Sequence, residues 1–218
     1  MDIETVKPEE IEKKSFETIT TELQGINVVI NKSTPVNDGA PELDVIKRCI
    51  HTTADFEYAH SMIFSDGAYE TFAKLVRGGA TIVTDTNMAL AGISKRELAR
   101  YGCDAVCFMA DEDVALEAKK RQLTRAHVSM ERAMSIKGPV IFVIGNAPTA
   151  LITLCENHTG GVYSPAFVVG VPVGFVNVEA AKEMLAQSSI GHITNIGRKG
   201  GSNVAAAIVN AMLYRMRQ

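Results

Sequence analysis

Residues 190–216 pass from an apolar run into a glycine-rich turn and then into a helical pattern. The parts are Ile190-Gly191-His192-Ile193-Thr194-Asn195-Ile196, then Gly197-Arg198-Lys199-Gly200-Gly201-Ser202, then an alanine-rich stretch over residues 204–216. This order predicts a strand, a turn that contains two cations, and a helix whose first N–H groups point toward the turn. Such a junction can hold an anion, and it can equally be an ordinary tight turn with solvated Arg198 and Lys199.

The turn does not match a nucleotide-binding loop. A P-loop has four residues between its first glycine and Gly-Lys-Ser/Thr, whereas here Lys199 precedes the glycine pair. The GxGxxG pattern of dinucleotide-binding proteins is also missing. A nucleotide-binding Rossmann enzyme, which would bind NAD or ATP, is therefore a weak alternative.

Four further apolar runs precede this segment, at residues 80–84, 105–109, 140–144 and 167–171. Helical patterns separate the runs, including a capping box at Ser94 and Glu97 and one long helix predicted from Asp111 through Ala133. Strands that alternate with helices, and that are apolar on both faces, are typical of parallel sheets. The sequence therefore predicts an α/β fold in which a mostly parallel five-stranded sheet has helices on both faces.

The first 78 residues have a different pattern. Helical patterns begin at Pro8 and Pro41 and after Gly67, and residues 31–41 form a polar, proline-containing loop. A chain of 218 residues that is 46% hydrophobic can form one substantial core and is short for two large domains. We predict a single domain over residues 1–218, with an N-terminal helical portion of about residues 1–78 packed on the α/β core.

Composition limits the function classes. The net charge is −3, so no overall basic field would attract nucleic acid and an anion site must be local. The four cysteines contain no CxxC pair and the histidines no HxxxH spacing, which argues against a protein-bound metal or a disulfide. The acidic start, Met1-Asp2-Ile3-Glu4, lacks a secretory signal, and no apolar run could span a bilayer. We expect a soluble, cytoplasmic protein.

Polar or glycine-rich junctions follow four of the predicted strands. They are Asp85-Thr86-Asn87, Gly145-Asn146-Ala147-Pro148-Thr149, Pro172-Val173-Gly174 and the Gly197 segment. Ligands of parallel sheets bind outside the carboxyl ends of the strands, so we expect these junctions to share one edge. Small residues and amides at that edge suit a large ligand that lies against the backbone. The segment at residues 145–149, taken alone, is better explained as a helix cap with proline in the first turn.

His51 and Arg48 are three residues apart in the helical pattern that begins at Pro41, so they share a helix face. A histidine can exchange protons near neutral pH, and an arginine can hold a carboxylate. A lone histidine is nevertheless more often a hydrogen-bonded structural residue. Arg121 and Arg125 belong to a charged helix that is mostly solvated, although one of them could turn toward a polyanion.

Several segments together resemble the precorrin-8X methylmutases, including their cobalt-precorrin-8 counterparts. These segments span most of the chain: Ser15-Phe16, Arg48-Cys49-Ile50-His51-Thr52, Asp85-Thr86-Asn87-Met88 with Gly92-Ile93, Gly145-Asn146-Ala147-Pro148-Thr149-Ala150-Leu151, Gly170-Val171-Pro172-Val173-Gly174-Phe175-Val176, and Gly197-Arg198-Lys199-Gly200-Gly201-Ser202.

The resemblance implies an isomerase of cobalamin biosynthesis that moves a ring methyl group from carbon 11 to carbon 12 of precorrin-8, without a cofactor of its own. Cobalt, if present, belongs to the substrate. His51 matches the catalytic histidine, a general acid toward a pyrrole nitrogen. The predicted substrate-binding residues are Ser15, Arg48, Thr86, Asn87, Met88, Arg121, Arg125, Asn146, Gly174, Arg198 and Lys199. A homodimer is also implied.

A second hypothesis from the sequence is a non-catalytic protein that binds a corrinoid and passes it on. Turnover separates the two hypotheses, because both predict product binding. The stretch Thr52-Thr53-Ala54-Asp55-Phe56 resembles the cobalt-dependent members slightly more. The sequence leaves open whether the substrate contains cobalt, which oligomer forms, and which cation meets which substrate carboxylate.

Overall fold

The computed structural model describes residues 5–217. Its helices are α1 (Pro8–Leu23), α2 (Pro41–Thr53), α3 (Tyr58–Ser61), α4 (Ala68–Arg77), α5 (Asn87–Gly92), α6 (Lys95–Arg100), α7 (Glu112–Arg121), α8 (Arg125–Ala133), α9 (Pro148–Thr159), α10 (Val178–Ala186) and α11 (Ser202–Arg215). Its strands are β1 (Val29–Ile30), β2 (Thr34–Pro35), β3 (Met62–Phe64), β4 (Thr81–Thr84), β5 (Ala105–Val106), β6 (Val140–Ile144), β7 (Phe167–Gly170) and β8 (His192–Asn195).

The central sheet has six strands in the order β3-β8-β7-β6-β4-β5. All neighbours are parallel except β3, which runs antiparallel to β8 and pairs Ile63 with Thr194. The predicted mixed α/β, mostly parallel sheet is confirmed, but the predicted number of five strands is wrong. The sequence analysis missed Met62–Phe64 because three apolar residues directly after a helix give neither a clear alternation nor a turn signal.

Helices cover both faces of the sheet, as the sequence predicted. On one face, Ile141, Val143 and Ile193 pack with buried side chains of α2, α4 and α11. On the other face, Phe142 and Ile144 pack with side chains of α8, α9 and α10. Consecutive residues of a strand point to opposite faces, so a strand between two helical layers must be apolar throughout. All five residues of β6 are accordingly buried.

The long helix predicted from Asp111 to Ala133 is wrong, because α7 and α8 are separate helices. Gln122, with φ of 56°, adopts the left-handed conformation that ends α7. Two residues later the Thr124 side chain accepts a hydrogen bond from the backbone N–H of His127 at 3.1 Å and caps α8. The missed sequence signal was this N-cap threonine in the middle of an otherwise helical pattern.

Half of the predicted capping box forms at α6. The Ser94 hydroxyl accepts a hydrogen bond from the backbone N–H of Glu97 at 3.4 Å. The reciprocal contact is absent, since the Ser94 N–H donates to Asn210 Oδ1 and the buried Glu97 carboxylate pairs with Arg217 instead. Glu97 therefore connects α6 to the C-terminal end of the described chain.

The N-terminal portion packs on the sheet through α2, which lies against α11. Its buried residues Leu43, Ile46 and Ile50 belong to the same cluster as Ile208 and Met212 of α11. The proposed division at about residue 78 within a 1–218 domain stays a prediction. A two-stranded hairpin, β1–β2, lies partly within the predicted loop at residues 31–41.

No helix within residues 5–217 is long and apolar enough to cross a membrane. The argument against a secretory signal used residues 1–4, which lie outside the described residues.

Candidate functional site

The parallel strands β4, β6, β7 and β8 end at one edge of the sheet, and the segments that follow them contact each other there. Asp85, directly after β4, is fully buried. Its carboxylate accepts hydrogen bonds from the backbone N–H groups of Gly145 at 2.9 Å, Asn146 at 2.8 Å and Ala147 at 2.6 Å. Burial raises the pKa of Asp85, while these three donors favour its ionised form and oppose the rise. Asp85 thus fixes the loop after β6.

The start of α11 lies directly against the loop after β6. A Cβ atom on Gly145 would lie 2.7 Å from Ser202 Cα, so only glycine permits this approach. The Ser202 and Thr86 hydroxyls form a 2.7 Å hydrogen bond, and Thr86 also accepts from the N–H of Ala89 at the start of α5. Three junctions predicted to share an edge are therefore in direct contact.

The glycine turn between β8 and α11, residues 197–201, is packed closely against the segment after β7. The Gly201 N–H donates to Val171 O at 3.0 Å, and the Gly174 N–H donates to Arg198 O at 3.2 Å. A Cβ atom on Gly200 would lie 2.1 Å from Val171 O. The turn has a fixed conformation because the neighbouring backbone occupies the space of any side chain at Gly200.

We expect Gly200→Ala to destabilise the protein by about 2 kcal/mol or more, since the new methyl group must displace backbone rather than a flexible side chain. Chemical denaturation would measure the change. The matched control is Gly25→Ala, where the nearest atom to the new Cβ, Glu22 O, lies at an ordinary 3.7 Å. Equal stabilities of the two variants would contradict the expectation.

Both cations of the turn contact carboxylates of the same chain. Lys199 Nζ lies 2.5 Å from Asp55 Oδ2 and 2.7 Å from Glu57 Oε2, in the connection after α2. The Lys199 ammonium lowers the pKa of Asp55 and Asp55 raises the pKa of Lys199. Arg198 Nε lies 3.0 Å from Glu179 Oε2. Both cations remain about half exposed, so each can still reach a ligand.

His51 is exposed in the last turn of α2. Its ring stacks on Phe16 of α1, with centroids 5.0 Å apart and planes 17° from parallel. The Arg48 guanidinium lies 4.4 Å from the centre of the same Phe16 ring and donates to Glu12 at 2.5 Å. Arg48 lowers the pKa of Glu12 through this hydrogen bond. The structure thus brings the predicted histidine and arginine together with Phe16.

A groove of about 710 Å³ adjoins Arg48 between α1, α2 and α11. Its cations outnumber its acids: the cations are Lys13, Lys47, Arg48, Arg215 and Arg217, and the acids are Glu9, Glu12 and Asp44. Phe16 and Tyr214 supply aromatic surface. Three of these cations already have acidic partners, since Arg48 pairs with Glu12, Arg215 with Asp44 and Arg217 with Glu97. The groove therefore offers aromatic surface with a small excess of positive charge, which suits an apolar molecule with peripheral carboxylates.

Four of the other predicted binding residues follow the strands of the central sheet, and Ser15 lies in α1. Asn87 and Met88 are exposed at the start of α5, Asn146 is exposed in the loop after β6, and Gly174 follows β7. The Ser15 hydroxyl donates to Ile11 O within α1. Their substrate-binding roles stay predictions.

The two predicted arginines of the charged helix are in separate environments. Arg121, at the end of α7, pairs with Glu131 and Glu117. Arg125 is exposed in the first turn of α8, next to Thr124, whose hydroxyl donates to Thr149 in the first turn of α9. Arg125 is therefore nearer to the loop after β6, while the Arg121 charge is already balanced. The substrate-binding roles of both arginines stay predictions.

Exposed apolar side chains are concentrated at the carboxyl edge of the sheet. Phe175 is 84% exposed, Val176 75% and Met88 70%, and Val173 and Ile196 are also exposed. The Arg198 guanidinium lies 5.7 Å from the Phe175 ring centre. The sequence analysis did not select Phe175 or Val176 individually. A signal was present in the sequence, since both large apolar residues directly follow Pro172-Val173-Gly174, a junction expected at the ligand-binding edge of the sheet.

Lys182 of α10 is a further residue that the sequence analysis missed, because a single lysine in a helix gives no distinctive signal. It is only 2% exposed, and its amine donates to Gly197 O at 2.8 Å and Lys199 O at 2.6 Å. Burial lowers the pKa of Lys182 to about 8, although Glu179 opposes the shift. Lys182 adjoins a cavity of about 880 Å³ whose other titratable groups are Glu179, Glu183, Asp66, Lys32 and His192.

The lowered pKa of Lys182 predicts a pH dependence of stability. Between pH 8 and 10.5 the unfolded chain retains the proton that the folded chain has released, so rising pH favours the folded state. We expect the wild type to gain up to about 3 kcal/mol relative to Lys182→Met across this range. Urea denaturation of both proteins at several pH values would measure the gain. A constant difference between them would contradict it.

Three cysteines, Cys49, Cys103 and Cys155, are buried, and burial raises the pKa of each thiol. Within residues 5–217, no three or more His, Cys, Asp or Glu side chains form a group that could hold a metal ion.

Comparison with known proteins relates this site to one family. Residues 10–215 match the family model of CbiC, precorrin-8X methylmutase. The chain is 41% identical to a cobalt-precorrin-8 methylmutase of Priestia megaterium, over 95% of this chain and 88% of the relative. It is 40% identical to a cobalt-precorrin-8 methylmutase of Salmonella typhimurium, over 97% of each chain.

A solved structure has the same fold. The precorrin-8X methylmutase from Thermus thermophilus superimposes with a TM-score of 0.82 and 35% sequence identity, over 94% of this chain and 95% of that chain. The match of sequence over nearly the whole chain, together with the shared fold, shows that this chain belongs to the precorrin-8X methylmutase family of isomerases.

Proposed function

We propose that this protein moves a methyl group from carbon 11 to carbon 12 of precorrin-8 or its cobalt form, giving hydrogenobyrinate or cobyrinate, with His51 as general acid. The observation that carries the proposal is the position of His51. It is exposed at the end of α2, one helical turn after Arg48, and its ring stacks on Phe16, which together with Arg48 lines the groove between α1, α2 and α11. A histidine, an arginine and an aromatic ring therefore lie together, which supports the proposed roles of proton donor, anion contact and apolar surface.

The proposed chemistry is an intramolecular migration, so no second substrate or cofactor of the protein takes part. The C11–methyl bond breaks as the C12–methyl bond forms, and the conjugated double bonds shift. In the metal-free substrate, His51 places a proton on a ring nitrogen, which makes the conjugated system more electron-poor, and recovers it afterwards. Over one turnover, neither the protein nor the substrate gains or loses a proton.

The rest of the site would bind and orient the ring. Met88, Val173, Phe175 and Val176 offer an exposed apolar surface for the macrocycle. Arg125, Arg198 and Lys199 are accessible cations for its peripheral carboxylates, and Arg48, whose side chain is 20% exposed, would exchange its hydrogen bond with Glu12 for one to the substrate. Thr86, Asn87, Asn146 and Gly174 place polar groups and backbone at the same edge. Ser15 and Arg121 complete the proposed set of substrate contacts.

The names of the relatives favour the cobalt-containing substrate, because the relatives with 41% and 40% identity are both called cobalt-precorrin-8 methylmutases. In that substrate the ring nitrogens are ligands of cobalt and their lone pairs are not free for a proton. If the cobalt form is used, His51 must protonate a carbon of the conjugated system instead. Cobalt would enter only as part of the substrate.

Absorption spectroscopy tests the function. Purified protein mixed with precorrin-8 or cobalt-precorrin-8 should shift the spectrum to that of hydrogenobyrinate or cobyrinate, and the faster of the two reactions identifies the substrate. Product binding without any spectral conversion of either substrate would reject the enzyme and favour a corrinoid carrier.

The same proposal includes a homodimer in the cytoplasm. A monomer rarely leaves neighbouring large apolar side chains such as Phe175 and Val176 in water, so in this proposal the second copy of the chain approaches at the same edge that binds the ring. Sedimentation equilibrium would give the mass directly.

A further inference from the structure

We propose that Lys182 is a positioning residue for His51: it fixes the turn of residues 197–201 and, through Lys199, the end of α2. The catalytic part of this inference, that the position of His51 affects turnover, rests on the function proposed above. Lys182 and His51 belong to helices on opposite faces of the sheet, so the connection passes around the sheet edge through the turn.

The first part of the connection is buried. The Lys182 amine donates to Gly197 O at 2.8 Å and to Lys199 O at 2.6 Å. The Asn195 side chain, 1% exposed, also donates to Lys199 O, at 2.9 Å. Two side chains, one from α10 and one from β8, therefore hold the backbone at both ends of Gly197-Arg198-Lys199. They thereby also fix the Cα position from which the Lys199 side chain extends.

The second part leads from Lys199 to α2. The Lys199 ammonium contacts Asp55 and Glu57. The Asp55 N–H donates to the Thr53 hydroxyl at 3.2 Å, and that hydroxyl donates to Cys49 O at 2.8 Å within the last turn of α2. His51 lies in this turn. A displacement of the turn at residues 197–201 would therefore move the contacts that fix the helix end.

The buried charge itself supports a positioning role. A methionine would occupy a similar volume without the desolvation cost of an ammonium group, so stability alone does not require lysine at this position. What lysine adds is several N–H donors aimed at two carbonyl oxygens of one turn. The other charged groups that line its cavity are all exposed, and one of them, Glu179, already pairs with Arg198. They are Glu179, Glu183, Asp66 and Lys32.

The test compares Lys182→Met with Lys182→Arg, which retains N–H donors, and with Lys74→Met as control. Lys74 is an exposed lysine of α4, remote from the turn. We expect Lys182→Met to lower kcat at least tenfold, because His51 is displaced, and to raise KM as well, because Arg198 and Lys199 lie in the turn that loses its support. Lys182→Arg should recover part of kcat, and Lys74→Met should match the wild type. Wild-type kcat in folded Lys182→Met would overturn the proposal.

A measurement without substrate separates this proposal from the proposed function. The NMR signals of the His51 ring should shift in Lys182→Met and stay unchanged in Lys74→Met. Lys199→Ala provides a second test of the same connection, because Lys199 is half exposed and its removal leaves the core intact. It should shift the same His51 signals. Unchanged His51 signals in both variants would overturn the positioning role, whereas an inactive wild type with shifted signals would reject only the methylmutase function.

Discussion

Replacing His51 with alanine should lower turnover about a hundredfold to ten-thousandfold, which is the usual contribution of a positioned general acid. The expected effect is confined to kcat. His51 is exposed and contributes one face of a stacked pair with Phe16, so its loss should leave the fold and product binding nearly unchanged. The measurement is single-turnover conversion of precorrin-8 and cobalt-precorrin-8 by absorption, with product affinity measured separately.

The matched control is His60→Ala, because His60 is also exposed but lies on a separate helix, α3. It should retain wild-type turnover. Full activity of His51→Ala on both substrates would exclude the proposed proton role. His51→Ala could instead lose activity toward metal-free precorrin-8 and keep it toward cobalt-precorrin-8. That result would show that His51 protonates a ring nitrogen, because those nitrogens are cobalt ligands in cobalt-precorrin-8.

Replacing Asp85 with alanine should destabilise the protein by about 3 kcal/mol or more. The carboxylate receives three backbone N–H groups, of which those of Gly145 and Ala147 belong to buried residues. Each buried donor left without an acceptor costs about 1 to 3 kcal/mol. Chemical denaturation at neutral pH would measure the loss, and turnover should fall as well because the loop after β6 loses its support.

Asp85→Asn refines this test. The asparagine retains one acceptor oxygen but points an NH₂ group toward at least one of the backbone donors, so its stability should lie between those of the wild type and Asp85→Ala. The control is Asp66→Ala, an exposed aspartate that should change stability by less than about 0.5 kcal/mol. A loss below about 1 kcal/mol for Asp85→Ala would mean that the loop finds other acceptors.

The part of the fold that local patterns predict is the α/β core. The buried strands β4, β6, β7 and β8 are recognisable because an interior parallel strand is apolar on both faces. Their helices begin at prolines or capping residues, as at Pro148 and Ser94. The errors occur where the signal is local and weak: β3 is three residues long, and the break between α7 and α8 depends on Gln122 adopting a left-handed conformation.

For the candidate site, the sequence identified types of residue but few of their partners. It selected His51 and Arg48 as neighbours on one helix face, because helical periodicity alone places residues three apart together. It could not find Phe16 as the stacking partner of His51, since the contact joins two helices about 35 residues apart in the chain. Contacts of this kind depend on how helices pack and not on the spacing of residues within one helix.

The Gly197 turn likewise has some features that the sequence predicts and other features that only the tertiary structure shows. Its glycines, its two cations and its place between a strand and a helix are all determined by the sequence. Only the tertiary structure decides that Lys199 contacts Asp55 and Glu57, that Arg198 contacts Glu179, and that Lys182 reaches the turn from α10. The physical reason is that sequence pattern determines which segments are buried and how they begin and end, whereas the pairing of charges and hydrogen-bonding groups depends on distances between segments that are remote in the chain.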